Sequence, residues 1–126
     1  MWRIGIVLIL ACTGVHHSKA MRHLVSEISL LHGHRPLPPD HDHSGPPREE
    51  LPYRFSGIAY PNVVRRVSRE LTPGRGWVKH SHGGANGSEP CTFFYHARDG
   101  EEVVVSEEKK PGTVLVGLDI FPPGIL

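Results

Sequence analysis

Net charge is nearly absent from this chain, and so are long apolar runs beyond its first residues. The 126 residues include 14 basic and 13 acidic side chains, which gives a formal charge of +1. A chain this close to neutral has no field that would steer it to nucleic acid or to an anionic membrane. No apolar run approaches the roughly 20 residues of a bilayer-spanning helix. We therefore expect no nucleic-acid partner and no transmembrane segment.

Catalytic motifs are also missing from the sequence. It contains no G-x-S-x-G, no H-E-x-x-H and no Gly-rich phosphate loop after a strand. Cys91 with one of the 10 histidines is the one conceivable nucleophile and base, but a strand-edge thiol in a secreted chain is more often structural. The sequence predicts a protein that is not an enzyme.

The first residues have a secretory pattern. Arg3 precedes an apolar run, and Ser18 and Ala20 give the small-residue spacing that signal peptidase accepts. The pattern predicts a signal peptide over residues 1–20, with cleavage after Ala20 as the first choice and after Gly14 as the second. The expected location is secreted, or on the extracellular side of the plasma membrane.

Cysteine is scarce, and secretion makes that scarcity informative. Of the 2 cysteines, only Cys91 would remain after signal cleavage. In an oxidising compartment a single cysteine implies an intermolecular bond or a missing partner.

Proline and glycine, in contrast, are abundant. The 12 Pro and 14 Gly, with 38% hydrophobic residues, predict that much of the chain buries no core. We expect residues 21–90 to form a disordered leader rich in His, Pro and Gly. Within it, residues 21–32 form at most a short amphipathic helix, while Pro61 interrupts the next apolar segment and residues 72–90 have the composition of a linker.

Histidines are concentrated in one tract of this leader. Its possible metal ligands are His32, His34, Asp40, His41, Asp42 and His43. Imidazole and carboxylate bind zinc, copper or nickel, but a specific site needs ligands in fixed geometry. A Pro-rich tract does not supply that geometry, so we interpret these residues, and likewise His80 and His82, as solvated histidines.

Two modification patterns fit a secreted chain. Asn86-Gly87-Ser88 is a sequon that predicts N-glycosylation at Asn86. Arg66 and Arg69 fit the basic pattern cut by proprotein proteases. The competing dibasic site ends at Lys110, where Pro111 follows and obstructs cleavage because its ring fixes φ and removes the N–H.

The pattern becomes β-like at Cys91. "CTFFYHAR" and "EEVVVS" are extended segments joined by Asp99-Gly100, a dipeptide suited to a tight turn. "EEKKPG" is a second bend, and "TVLVGLDIF" then alternates apolar residues with period two. We predict the opening strands of a β-domain over residues 91–126.

The stretch "VVVSEEKKPGTVLVGL" resembles the opening strand of extracellular cadherin repeats, V-x-E-x-x-x-P-G-T-x-V. The matching residues are Val105, Glu107 and the Pro111-Gly112-Thr113 bend. With Cys91 shortly ahead of it, the segment is similar to the start of the first repeat in protocadherins of the hair-cell tip-link type. The D-R-E, D-x-N-D-N and D-x-D motifs of a complete repeat do not occur in this chain.

The resemblance implies a fold and a set of roles. It implies an incomplete cadherin-type Greek-key β-sandwich, with Glu107 as one of several calcium-holding carboxylates in a complete repeat pair. It also implies a disulfide from Cys91 to a later cysteine that is absent here. The cofactor would be calcium and the partner another cadherin ectodomain, both in a full-length relative.

These observations give one interpretation and two alternatives. The chain is expected to be an N-terminal fragment of a secreted or cell-surface cadherin-like protein for calcium-dependent cell adhesion. The first alternative is a secreted peptide precursor processed at Arg66 or Arg69, and the second is a translated gene fragment without independent function.

Overall fold

Five antiparallel strands form one sheet in the computed structural model, which describes residues 17–38, 47–83, 89–96, 98–110 and 112–122. The strands are β1 Glu49–Ser56, β2 Trp77–His82, β3 Cys91–His96, β4 Glu101–Glu107 and β5 Thr113–Ile120. Two helices accompany them, α1 Lys19–Glu27 and α2 Tyr60–Ser68. Short 3-10 helices lie at Ser29–Leu31 and Pro73–Arg75.

The strand order is β1-β5-β4-β3-β2, and every neighbouring pair is antiparallel. Strands β2 to β5 form a meander of successive hairpins. Because β1 lies beside β5, the connection from β1 to β2 spans the whole sheet. That connection contains α2 and carries it over one face, which we call the inner face.

The core lies between the inner face and the two helices. Alternate residues of each strand point to one face of a sheet, so the apolar period of two becomes a buried layer. The sheet contributes the buried residues Leu51, Tyr53, Phe55, Phe94, Val103, Val105, Val114, Val116 and Leu118. The helical segments contribute Met21, Leu24, Ile28, Leu31, Val63 and Val67. All of these side chains belong to one cluster.

The short amphipathic helix expected within residues 21–32 is confirmed in part: an α-helix covers the first residues of this range, and a separate 3-10 helix, Ser29–Leu31, lies near its end. Leu24, Ile28 and Leu31 are 0%, 0% and 1% exposed, so the predicted face is the buried face. The α-helix begins at Lys19, where the Ser18 side chain accepts a hydrogen bond from the Met21 amide, and it ends at Glu27. The sheet supplies the partner that makes this short helix stable.

The expectation of a disordered leader over residues 21–90 is wrong for the described part of that range. It contains α1, β1, α2 and β2. In β1, Leu51, Tyr53 and Phe55 alternate and are buried, and Pro52 is tolerated because β1 is an edge strand. Short segments of low propensity fold here because they share one core with distant strands.

Two further local expectations are corrected. Pro61 does not interrupt an element but lies in the first turn of α2, where a missing N–H is harmless. Residues 72–90, expected to be a linker, contain β2, which pairs with β3 along its whole length. Trp77 anchors this edge strand in the core at 4% exposure.

The predicted C-terminal strands are confirmed. Strands β3, β4 and β5 occupy the three predicted extended segments, with turns at Asp99-Gly100 and at the "EEKKPG" bend. Val114, Val116 and Leu118 are fully buried, as the period of two predicts. The chain therefore has the expected antiparallel β-structure, while the described residues place helices, not a second sheet, on the inner face.

In the part of the chain that the structure describes, no helix is long and apolar enough to cross a membrane.

Candidate functional site

The sheet has a second face, opposite the helices, which we call the outer face. Strand pairing arranges its side chains in rows that run across the sheet. One row is Glu50, Asp119, Glu102, Tyr95 and Val78. The next row is Pro52, Gly117, Val104, Phe93 and His80. A third row is Arg54, Leu115, Ser106, Cys91 and His82.

One end of the outer face carries three carboxyl groups on adjacent strands. We call Glu50, Asp119 and Glu102 the carboxyl row. Arg48 lies 2.9 Å from a Glu50 oxygen and 3.4 Å from an Asp119 oxygen, and Glu102 and Asp119 share a side-chain hydrogen bond. The row thus combines three acids with one guanidinium.

Two members of the carboxyl row have raised pKa values. Burial, opposed by Arg48 and reinforced by the charges of Glu102 and Glu50, raises the pKa of Asp119 to about 6. Burial also raises the pKa of Glu102, against the hydrogen bond from Asp119 and the charge of Arg48. Both directions favour a proton held between the two carboxyl groups.

An apolar patch adjoins the carboxyl row. Tyr95 is 36% and Val78 39% exposed, and these are the exposed large hydrophobic residues of the described chain. Both continue the row of Glu102 toward the β2 edge, and half-buried Phe93 and Val104 lie in the next row. An apolar area rimmed by charge is typical of a binding surface.

Gly117 forms a furrow beside the carboxyl row. It lies in β5 between Pro52 of β1 and Val104 of β4. A Cβ built on Gly117 would have no atom within 4 Å, and its φ lies outside the left-handed range. Neither backbone conformation nor packing therefore requires glycine at this position.

A second region lies on the inner side, between α2 and the β2 edge. The Tyr60 hydroxyl is hydrogen-bonded to the Thr92 hydroxyl, which also contacts Ser81 Oγ at 3.1 Å. These groups border an open cleft of about 350 Å³ with Pro61 and Val64. Burial raises the pKa of Tyr60, so its hydroxyl stays protonated. The hydroxyl chain satisfies buried Thr92 and attaches α2 to the sheet.

A third cluster, formed by Glu101, His96 and Asp99, lies at the β3–β4 turn. Glu101 is 7% exposed, and burial and the charges of Asp99 and Glu27 raise its pKa. Its neighbour across the strands is His96, whose Nδ1 lies 3.4 Å from Asp99 Oδ2 and whose Nε2 lies 2.9 Å from the Arg75 carbonyl oxygen. These contacts link the β3–β4 turn to the start of β2.

Glu107, to which the cadherin resemblance assigns a calcium-holding role, does not lie beside Asp119. Glu107 ends β4 opposite Val114, and Glu108 accepts a hydrogen bond of 2.7 Å from Arg54. Asp119 lies at the other end of the hairpin, opposite Glu102. Sequence analysis did not identify Glu102 and Glu50 as its neighbours, because only the register of β1, β5 and β4 makes them adjacent.

The predicted processing and cysteine sites lie on folded elements. Arg66 is an exposed residue of α2, and Arg69 is its exposed C-cap. Cys91 begins β3 as a half-buried free thiol, and burial followed by the charge of Glu102 raises its pKa. The first-choice signal cleavage point after Ala20 lies within α1.

Six residues of the other predicted sites lie outside the described residues. These are Asn86, Gly14, Asp40, His41, Asp42 and His43. The described histidines of the tract have contacts of their own, since His32 Nε2 lies 3.1 Å from the Ser26 carbonyl oxygen and His34 packs edge-on against Phe55. Among the described residues, no group of three His, Cys, Asp or Glu side chains is arranged to hold a metal ion.

Comparison with protein-family models, with curated proteins and with solved structures finds no match for this chain.

Proposed function

We propose that this chain is a binding module that docks a partner protein on its outer face, with a lysine or arginine of the partner held by the carboxyl row. The observation that carries the proposal is Gly117. A glycine inside a strand costs about 0.5–1 kcal/mol relative to alanine, and it commonly marks a place where another backbone or a ligand approaches closely. Gly117 meets no steric demand within its own fold, so a partner is the better explanation.

Charge complementarity indicates the chemistry of the partner. The carboxyl row contains three acids and the guanidinium of Arg48, and burial, together with the charges of Glu102 and Glu50, raises the pKa of Asp119. A cation placed there lowers that pKa and neutralises the row. Tyr95 and Val78 provide an apolar surface next to it for the aliphatic stem of the cationic side chain or for an adjacent apolar residue.

The test uses a random 12-residue peptide library displayed on phage and selected against the full chain. Selection alternates with depletion on Gly117→Leu, whose side chain fills the furrow without reaching the core. The expected result is a consensus with Lys or Arg beside apolar residues, bound at least about tenfold more weakly by Gly117→Leu and by Glu102→Gln/Asp119→Asn. Gly57→Ala, at a turn away from the outer face, is the control.

Two results would overturn this proposal. One is a consensus without basic residues, and the other is equal binding by wild type and Gly117→Leu. Thermal melting of each variant shows whether a loss of binding is a loss of fold. We expect Gly117→Ala to melt slightly above wild type, because the substitution reduces the entropy of the unfolded chain.

The proposal includes a location and a role: the module is secreted or lies at the cell surface, and it takes part in adhesion. Support comes from the secretory pattern of residues 1–20 and from the absence of a catalytic motif in the sequence. N-glycosylation at Asn86 is part of the same proposal.

A more specific proposal is that the chain forms an incomplete cadherin repeat of Greek-key topology. One observation favours this proposal and another opposes it. The β4–β5 hairpin bends where the resemblance requires, after Glu107 and before Thr113. Helices α1 and α2, however, occupy the inner face, where a sandwich has its second sheet. Calcium binding through Glu107 would appear only with a second repeat present, so calorimetry on an extended chain, with Glu107→Ala as the variant, decides this proposal.

A further inference from the structure

Two histidines project from the exposed edge strand β2 on the same side. His80 and His82 are two residues apart and therefore share the outer face. Their ring centroids are 5.6 Å apart and their planes differ by 12°. Both are exposed, whereas their strand is fixed by pairing with β3 and by buried Trp77. The backbone of this pair is thus already ordered before any ligand arrives.

We infer that His80 and His82 form a two-histidine chelate for a divalent transition metal, with Cu²⁺ as the preferred ion. In the structure the two rings are stacked nearly parallel, so they must turn before one nitrogen of each can lie about 2.0–2.1 Å from the same ion. Only side-chain torsions need to adjust, because the strand sets the spacing of the two Cα atoms. Imidazole suits copper, nickel and zinc, and affinity in this series is highest for Cu²⁺.

The surroundings of the pair restrict one ring. The His82 ring packs edge-on against Phe93, with centroids 5.4 Å apart, which limits its rotation. Cys91 faces His82 across the two strands. The Cys91 thiol is half-buried, whereas both imidazoles are exposed. We therefore assign the chelate to the two imidazoles, with water in the remaining positions.

The chain contains a matched control for this inference. His41 and His43 have the same spacing of two residues, but they lie outside the described residues. If the fixed strand creates the site, removing His80 and His82 eliminates it, while removing His41 and His43 does not. If any closely spaced histidines suffice, the two double variants lose binding equally.

The experiment titrates Cu²⁺, Ni²⁺ and Zn²⁺ into the full chain by calorimetry near pH 7.5. Wild type is compared with His80→Ala/His82→Ala, His41→Ala/His43→Ala and Cys91→Ser. We expect one Cu²⁺ site that only the first variant loses, with affinities in the order Cu²⁺, Ni²⁺, Zn²⁺. Electron paramagnetic resonance of the Cu²⁺ form should show two imidazole nitrogens. Thermal melting without metal verifies that each variant is folded.

Three results would overturn the inference. Cu²⁺ binding could survive in His80→Ala/His82→Ala, it could be lost equally in His41→Ala/His43→Ala, or the spectrum could show fewer than two imidazoles. Loss of binding in Cys91→Ser would replace the proposed ligand set with one that includes the thiolate. None of these outcomes depends on peptide docking at Gly117.

Discussion

The carboxyl groups of Glu102 and Asp119 lie side by side on β4 and β5 and share a hydrogen bond on the outer face of the sheet. Asp119 is only 14% exposed, and its pKa of about 6 lies above its ordinary value of 3.8. When protonated, Asp119 donates to the Glu102 carboxylate. The pair keeps a proton at a pH where ordinary carboxyl groups have lost theirs.

This relationship predicts a pH dependence of stability. Because the pKa of Asp119 is raised in the folded state, its contribution is fully present below about pH 4 and is lost as pH rises through about 6. Asp119→Asn retains a neutral donor toward Glu102 and removes the titration. In urea denaturation, we expect the variant to exceed wild type by roughly 1–3 kcal/mol at pH 8 and to match it near pH 4.

The comparison between variant and wild type separates the titration of the Asp119–Glu102 pair from that of groups elsewhere in the fold. The pKa of Glu49 is lowered by hydrogen bonds from Ser18 and by His17, which outweigh its burial, and it destabilises the fold as pH falls. That contribution is present in both proteins and cancels in the difference. A difference that does not change between pH 4 and 8 would contradict the assignment to Asp119.

Gly76 is predicted to be intolerant of a side chain. Its φ is +95°, and an added Cβ would lie 2.5 Å from His96 Nε2. Gly57 has φ +79° but nothing within 4 Å, so Gly57→Ala measures the strain of positive φ alone. We expect Gly57→Ala to lose about 1 kcal/mol and Gly76→Ala roughly 1–3 kcal/mol more. Equal losses in denaturant melts would mean that His96 moves aside freely.

Ser18 is predicted to stabilise α1 as its N-cap. Its side chain accepts from the Met21 amide at 3.0 Å, and Ser18→Ala should lose about 1 kcal/mol of folding free energy in the full chain. Cleavage after Ala20 would remove this residue. Amino-terminal sequencing of the secreted protein shows whether Ser18 is still present. A mature chain that begins at Met21 has lost the capping contribution of Ser18.

Processing at Arg66 is predicted to need unfolding of α2. Val63 and Val67 of this helix are fully buried, and a protease requires an extended segment. Folded wild type should resist a proprotein protease, while Val67→Ala should be cut roughly tenfold faster, since cleavage follows the population of the open form. Rapid cleavage of folded wild type after Arg66 or Arg69 would favour the peptide-precursor alternative. Arg66→Gln/Arg69→Gln is the control.

The sequence alone determined the elements in which local pattern and final environment agree. Strands β3 to β5 combine β-branched and aromatic residues with strong turn dipeptides, so propensity, periodicity and turn chemistry all favour the same structure. The burial of Leu24, Ile28 and Leu31 followed from their spacing, although only Leu24 lies in α1 and Leu31 belongs to the 3-10 helix after it. Local chemistry was sufficient there, because these segments have one favourable arrangement each.

Residues with weak or conflicting local signals adopt their secondary structure through tertiary packing. Val63, Val67 and Leu71 have helical spacing that would have indicated α2, but Pro61 and the surrounding polar residues obscured it. Strand β1 is held at one edge of the sheet by pairing with β5, which is distant from it in sequence. Strand β2 is held at the opposite edge by pairing with β3. The carboxyl row exists for the same reason: Glu50, Glu102 and Asp119 become neighbours through strand register, and register is set by the shared core.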